Sequence, residues 1–303
     1  MKLPHPIPYQ GSKRNIADRI LRYFPDGFHR LIEPFAGSAA ISIASAFYYN
    51  ANKFIINDIN EPLILMWDEI INNPTQIIKK YYDIWNGQIG NEEAYYYHIR
   101  TKFNDTKSPE YLLFLLAKCV KAAVRYNAVG EFNQSPDKRR LGRNPQMMRE
   151  DILQVSHLLK NKVELYSTDY SEILDKATEY DLVYMDPPYQ GTGVNGGFNY
   201  AGNIDFDDFI LSLFNLNKRE VPFILSFDGR TENKTYGRSL PDELNLTKIE
   251  INAGRSTQAT LLNRKEYTYE AIYLSESLLQ KIDISIPQPS KNQLQTQLFE
   301  VYA

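Results

Sequence analysis

The sequence has little that could cross-link it, hold a metal or anchor it in a membrane. Among 303 residues there is one cysteine, Cys119, which excludes an internal disulfide framework and a cysteine-built metal site. The four histidines, His5, His29, His98 and His157, are scattered along the chain, so no histidine cluster points to a metal either. No apolar run approaches the roughly 20 residues needed to span a bilayer. The opening stretch "MKLPHPIPYQGSKR" lacks the apolar core of a signal peptide. Together these absences favour a reducing cytoplasm. An excess of positive charge is missing too. The net charge is −3, so a nucleic-acid partner would have to be met by local charge rather than by the chain as a whole. What is present, 43% hydrophobic and 23% charged residues, is globular material. The length allows one large domain or two ordinary ones.

The first regular elements follow one another as strand, helix, strand. "HRLIEPFAGSAAISIASAFYY" reads as a strand over about 30–33, a turn of small residues and a helix. "KFIINDIN" is a second strand ending on Asp58, with Glu61 and Pro62 opening another helix. Such a unit begins a parallel sheet covered by helices. Residues 62–158 differ: "IIKKYYDIW", "AYYYHIRTKF" and "EYLLFLLAKCVKAAVRY" are helical patterns, and the polar, basic "NAVGEFNQSPDKRRLGRNPQ" is a loop or hairpin. Alternation then resumes with strands at "KVELYSTDY", "DLVYMDPPY", "PFILSFDG" and "EYTYEAIYLS" and a helix at "DFDDFILSLFNLNK". The expectation is a doubly wound α/β domain, residues 1–61 and 159–280, interrupted by a mainly helical insertion over 62–158. A loose tail over 281–303, rich in Pro, Gln and Ser, follows.

Two stretches carry chemistry. In "EPFAGSAA", Gly37 and the small residues after it leave the backbone bare where a strand turns into a helix, so a ligand can approach closely. Asp58, at the end of the next strand, stands where mononucleotide-binding units place an acid for ribose hydroxyls. An ordinary βαβ turn would look similar, and Ala39 occupies the position of a second glycine. In "DPPY", two prolines halt a buried strand behind Asp186. The Asp186 carboxylate and the Pro187 carbonyl are two acceptors suited to the two hydrogens of an amino group. Tyr189 offers a plate for a planar ring, a stack worth about 1–3 kcal/mol. An amino nitrogen on a nucleobase is a poor nucleophile, and two such hydrogen bonds free its lone pair for attack on an electrophilic methyl. The base must first leave the duplex. An Asp-Pro-Pro turn followed by a packing tyrosine remains the plainer alternative.

Taken together, these residues resemble the Dam-type, D12-class DNA adenine N6-methyltransferases. "PYQGSK" at 8–13 resembles the family's N-terminal cofactor motif, "EPFAGSAA" its glycine loop, "NDIN" its acidic motif, "RYNAVGEFN" at 125–133 the start of its target-recognition segment and "DPPY" its catalytic tetrapeptide. The resemblance implies a Rossmann-like methyltransferase domain with a mostly parallel sheet and an inserted, mainly helical target-recognition domain. It further implies S-adenosyl-L-methionine as methyl donor, with no metal. By the same resemblance Tyr9, Lys13, Phe35, Gly37, Asp58, Asp169 and Asp186 would contact the cofactor, and Asp186, Pro187 and Tyr189 would serve the target amino group. "QSPDKRRLGRNPQ" departs from the segment of enzymes that read GATC, which leaves the recognition sequence open and makes a restriction-modification role plausible.

Lys138, Arg139, Arg140, Arg143 and Arg149 put five cations within twelve residues of the insertion, a density suited to phosphate contacts, and arginine can also read guanine edges. With Arg125 and Asn127 they form the expected double-stranded DNA surface, extended by Arg255, Arg264 and Lys265. The helical tyrosines Tyr81, Tyr82, Tyr95, Tyr96 and Tyr97 are expected to pack rather than to bind, and Cys119 to be a small core residue. "QTQLF", Gln295–Phe299, resembles the short motif by which bacterial proteins dock on the replication sliding clamp. The leading expectation is a cytoplasmic, DNA-associated adenine N6-methyltransferase without membrane contact. Cytosine N4 methylation and a degenerate DNA-binding protein on the same scaffold stand as alternatives.

Overall fold

The computed structural model describes residues 2–48, 51–188, 204–227, 230–231, 238–255 and 267–282. Eight strands form one sheet: β1 (Leu31–Glu33), β2 (Phe54–Asn57), β3 (Val163–Tyr166), β4 (Leu182–Met185), β5 (Phe223–Ser226), β6 (Arg230–Thr231), β7 (Thr247–Arg255) and β8 (Tyr267–Leu274). Their order is β3-β2-β1-β4-β5-β8, with β6 and β7 both paired to β8. The first five strands pair in parallel, and β8 runs antiparallel to β5, β6 and β7. This is the mixed, mostly parallel sheet expected of a Rossmann-like domain.

The central strands are unbroken apolar runs because helices cover both faces. Alternate residues feed two cores. Leu31, Phe54, Ile56, Leu182 and Tyr184 face one core, and Ile32, Ile55, Val183 and Met185 the other. The second core is closed by α8 (Tyr170–Asp175) and α9 (Phe206–Lys218) through Ile173, Leu174, Phe209 and Leu213. The first is closed by α1 (Ala17–Ile20), α2 (Ala40–Tyr48) and α3 (Glu61–Asn72), and it continues without a break into α4 (Pro74–Gly87), α5 (Glu92–Thr106), α6 (Pro109–Lys118) and α7 (Pro145–Leu159). A short helix spans Glu276–Leu279. At the entry of the sheet, Arg30 makes a paired contact with Asp181, Nε to Oδ1 at 3.0 Å and Nη2 to Oδ2 at 2.8 Å, which fixes β1 and β4 side by side.

Two local readings of the sequence need correction, and one strand goes unread. The helical pattern expected through Tyr126 stops at Lys118, because Cys119 turns extended and the chain leaves to pair with a distant segment. Cys119 bridges Pro136 and Tyr126 bridges Phe132 in antiparallel fashion. In between, Lys121 and Ala122 hold left-handed conformations, φ +60° and +50°. The expected strand at 162–170 ends at Tyr166, and Asp169 caps α8 instead. The sequence pattern gives no sign of β7. Tyr189, Arg264, Lys265 and Gln295–Phe299 lie outside the described residues, and of Arg255 only the backbone is described.

Candidate active site and nucleic-acid surface

The order of the parallel strands reverses between β1 and β4, and ligands of open α/β sheets bind at the carboxyl ends of strands at such a point. A cavity of about 740 Å³ lies there. Tyr9, Lys13, Phe35, Gly37, Asp58, Asp169, Asp186 and Pro187 all line it, so seven named cofactor candidates and the first two residues of the tetrapeptide meet in one place. So do several residues that the sequence did not single out: Glu33, Tyr170, Tyr184, Asp205 and Asp208.

The glycine loop is held by its own turn, Ala39 N donating to the Ala36 carbonyl at 2.7 Å, and by its neighbours. Gly37 has φ +49°, and an added Cβ would lie 3.0 Å from Tyr9 Cε1, so both conformation and space favour glycine. Its N–H donates to Asp58 Oδ2 at 2.9 Å, and Trp67 Nε1 donates to its carbonyl at 3.0 Å. Asp58 Oδ1 accepts from Asn60 N at 3.0 Å, so this acid organises the loop as well as facing the cavity. Ser38 Oγ donates to Ser12 Oγ at 2.7 Å, joining the loop to the N-terminal motif. Asn57 zips three strand ends together, Nδ2 donating to the carbonyls of Pro34 at 2.9 Å and Thr168 at 3.1 Å. Ala39, where a second glycine could stand, takes the left-handed φ of +46°, a conformation that disfavours L-residues by about 1–2 kcal/mol.

The cavity wall is acidic and aromatic. Glu33, 3% exposed, ends β1 and accepts from Ser42 N at 2.9 Å in the first turn of α2. Burial pushes its carboxyl up to about 7 against that hydrogen bond, and the Asp186 charge adds to the rise. Asp169 accepts from Ser171 N at 2.9 Å and Ser171 Oγ at 2.6 Å. Phe35 stacks obliquely on Tyr170, with ring centroids 5.1 Å apart. Asp186 follows β4, and Lys13 Nζ lies 2.9 Å from its Oδ1. Burial raises the Asp186 carboxyl, while the Lys13 ammonium pulls it back. Among the described residues no group of three or more His, Cys, Asp or Glu side chains is arranged to hold a metal ion.

A cationic ligand with a flat ring fits this lining. The carboxylates of Glu33, Asp58 and Asp169 suit positive charge and ribose or amino hydrogens, and the rings of Phe35 and Tyr170 suit a nucleobase.

The basic segment is built on buried polar side chains of the helices. Tyr81 Oη donates to the Arg143 carbonyl at 2.6 Å and Tyr96 Oη to the Gln134 carbonyl at 3.0 Å. Gln88 Nε2 donates to the Leu141 carbonyl at 2.9 Å and accepts at Oε1 from Lys118 Nζ at 2.6 Å. These tyrosines are therefore scaffold, although Tyr82 is exposed. Cys119 is buried, its thiol pushed up to about 12 by burial, which leaves it unreactive.

The cations divide into two groups. Arg125, Lys138, Arg139, Arg140 and Arg149 are exposed, although Lys138 reaches Glu93 at 2.8 Å and Arg139 grips Asp137 with two bonds of 3.0 Å. Arg140 Nη2 also donates to the Cys119 carbonyl at 2.7 Å. Arg143 is turned inward onto Asp151 and is 22% exposed. Asn127 spends its side chain inside the hairpin, accepting from Val129 N and Glu131 N and donating to Glu131 Oε2. No helix among the described residues is long and apolar enough to cross a membrane.

Sequence comparison agrees with this geometry. The chain is 28% identical over 292 residues to a Type II methyltransferase of Methanocaldococcus jannaschii, M.MjaIII, covering 89% of this chain and 98% of that protein. It is 29% identical over 205 residues to a DNA adenine methylase of Haemophilus influenzae, 65% of this chain and 68% of that one. It is also 29% identical over 204 residues to a DNA N-6-adenine-methyltransferase of Escherichia phage P1, 64% of this chain but only 25% of the phage protein's length. The profile of the D12 class N6 adenine-specific DNA methyltransferases matches residues 9–256, and the chain belongs to that family.

Proposed function

We propose that this adenine-specific DNA methyltransferase methylates the N6 amino group of an adenine turned out of a duplex, with the roles of its residues divided as follows. S-adenosyl-L-methionine, the methyl donor that the family implies, supplies an electrophilic methyl on a sulfonium. Tyr9, Phe35, Gly37, Asp58 and Asp169 hold and orient it in the cavity at the strand switch. Asp186 and the Pro187 carbonyl accept the two amino hydrogens, and this draws the nitrogen away from conjugation with the ring so that its lone pair can attack. Tyr189 stacks on the base. The chemistry is positioning and electrostatics, and we draw it without a metal. The observation that carries this reading is the meeting of the N-terminal motif, the glycine loop and Asp186 on one cavity.

Residues 62–158 act as the DNA-recognition insertion on a catalytic unit of 1–61 and 159–280. Arg125 and the exposed cations of 138–149 meet phosphates, and Arg125 reads a base edge. The match along nearly the whole of a Type II methyltransferase supports a modification role beside a restriction enzyme. The protein works in the cytoplasm on the chromosome, and Gln295–Phe299 offers a docking motif for the replication clamp. A clamp pulldown unchanged by Leu298→Ala with Phe299→Ala removes that last point.

The test of the main reading is nucleoside mass spectrometry on duplex DNA treated with the protein. N6-methyladenine is expected, and it is expected to vanish in Asp186→Ala while DNA binding persists. N4-methylcytosine would select the cytosine alternative instead. Turnover retained in Asp186→Ala would remove the proposed grip on the amino group.

A further inference from the structure

We infer that Glu270, on β8, is a positioning residue for methyl transfer: it shares Lys13 with Asp186 and thereby sets how strongly Asp186 accepts hydrogen bonds from the target amino group. The inference rests on the role of Asp186 proposed above.

The geometry is a lysine between two acids. Lys13 Nζ lies 2.9 Å from Asp186 Oδ1 and 3.7 Å from Glu270 Oε2, with the lysine side chain 6% exposed and the two acids 21% and 18%. Few water molecules can come between charges so placed, and their mutual fields are correspondingly strong. The single charge of Lys13 is shared between the two carboxylates. A carboxylate wholly committed to an ammonium is a weaker acceptor for a further N–H. Glu270 draws on the same ammonium and so leaves more negative charge on Asp186 for the substrate. The carboxyl of Asp186 shows the same balance: burial raises it, Lys13 lowers it and Glu270 raises it again.

The sheet explains how a remote residue reaches this place. β8 runs antiparallel to β5, pairing Ile272 with Ser226, and Phe227 N donates to the Ala271 carbonyl at 3.1 Å. The residues of β8 before Ile272 therefore project past the carboxyl end of β5, toward the end of β4 that carries Asp186. Among the described residues, Glu33 from β1, Tyr184 from β4 and Tyr9 from the N-terminal motif also bear on this cluster, and all are kept in the variants below.

The test is single-turnover methyl transfer by the full chain across its folded pH range in wild type, Glu270→Gln, Glu270→Asp and Asp186→Ala. S-adenosylmethionine binding is measured in parallel by calorimetry. In Glu270→Gln the plateau rate is expected to fall about tenfold. The acid limb is expected to move to lower pH, since Asp186 loses a neighbour that raises its carboxyl. Cofactor affinity is expected to hold, and Glu270→Asp to recover most of the rate. An unchanged rate and acid limb in Glu270→Gln overturn the inference. So does a rate loss whose acid limb stays put or rises while cofactor binding falls with it. Asp186→Ala separates the two claims: if it turns over, the reading of Asp186 fails. If it is dead while Glu270→Gln is normal, only the role of Glu270 fails.

Discussion

The backbone N–H of Gly37 donates to Asp58 Oδ2 at 2.9 Å, so the glycine loop after β1 and the acid after β2 form one unit. With φ +49° and the Tyr9 ring 3.0 Å from where a Cβ would sit, Gly37→Ala must move either the loop or the tyrosine. Cofactor affinity is expected to drop at least about tenfold, the strain of a few kcal/mol being spread over both. Calorimetric titration with S-adenosylmethionine, with circular dichroism to verify the fold, measures it. Wild-type affinity in this variant would show that the loop is not the cradle.

Glu33 gives the site a pH dependence of definite sign. Its carboxyl titrates at about 7 in the folded protein against an ordinary 4.5. Between those values the folded state binds more protons than the unfolded one, so this group makes stability fall as pH rises through the window, and its effect is constant above it. Glu33→Gln is expected to remove that fall and to melt higher than wild type above neutrality. A cationic ligand prefers the ionised carboxylate, so cofactor binding should tighten about tenfold from pH 6 to pH 8 in wild type and stay flat in Glu33→Gln. Parallel pH profiles in the two proteins would refute the assignment.

What the chain discloses by itself follows from how local the cause is. Gly37, Asp58 and Asp186 are legible because a strand end, a bare turn and a pair of prolines are written in consecutive residues. The central strands are legible because burial on both faces makes unbroken apolar runs. The break at Cys119 is not, since its extended backbone answers to Pro136, which bridges it, while the next residue, Val120, donates to the Ser135 carbonyl. Glu270 is likewise silent in sequence, because only antiparallel pairing brings β8 to the end of β4. Glu33 stands inside a recognisable motif, yet a strand-end acid carries no mark of its burial. Arg143 and Arg139 look alike in a basic run, and only packing separates the one on Asp151 from the exposed one.

That separation is testable. Neutralising Lys138 and Arg139 together is expected to weaken DNA binding and to reduce the slope of log affinity against log salt by about 0.9 for each phosphate no longer neutralised, without touching cofactor affinity. Arg143→Ala should behave differently. It leaves Asp151, 13% exposed, without its ion-pair partner and should cost about 3 kcal/mol of stability, with the salt slope unchanged. Fluorescence anisotropy across a salt series and thermal melting distinguish the two. Equal slopes in wild type and the double variant would remove these cations from the DNA surface.

A short relay joins the hairpin that carries Tyr126 to the loop at Gly37. Tyr126 Oη donates to Asn60 Oδ1 at 3.2 Å, Asn60 N to Asp58 Oδ1 at 3.0 Å, and Gly37 N completes it on Oδ2. A second tie runs from Gln10 N to the Ala122 carbonyl at 3.0 Å, next to the left-handed pair Lys121 and Ala122. If DNA displaces the hairpin, these bonds are expected to carry the shift to Asp58, and coupling between two ligands is reciprocal. Tyr126→Phe deletes the first tie while keeping the ring. It is expected to cost about 1 kcal/mol of stability. The factor by which duplex DNA tightens the cofactor product, S-adenosylhomocysteine, is expected to fall by about threefold, with each ligand alone bound nearly as before. Titration of the product with and without a duplex reads this factor directly. An unchanged factor would mean that the hairpin and the loop respond to their ligands independently, and that the Tyr126 hydroxyl serves only to satisfy a buried amide.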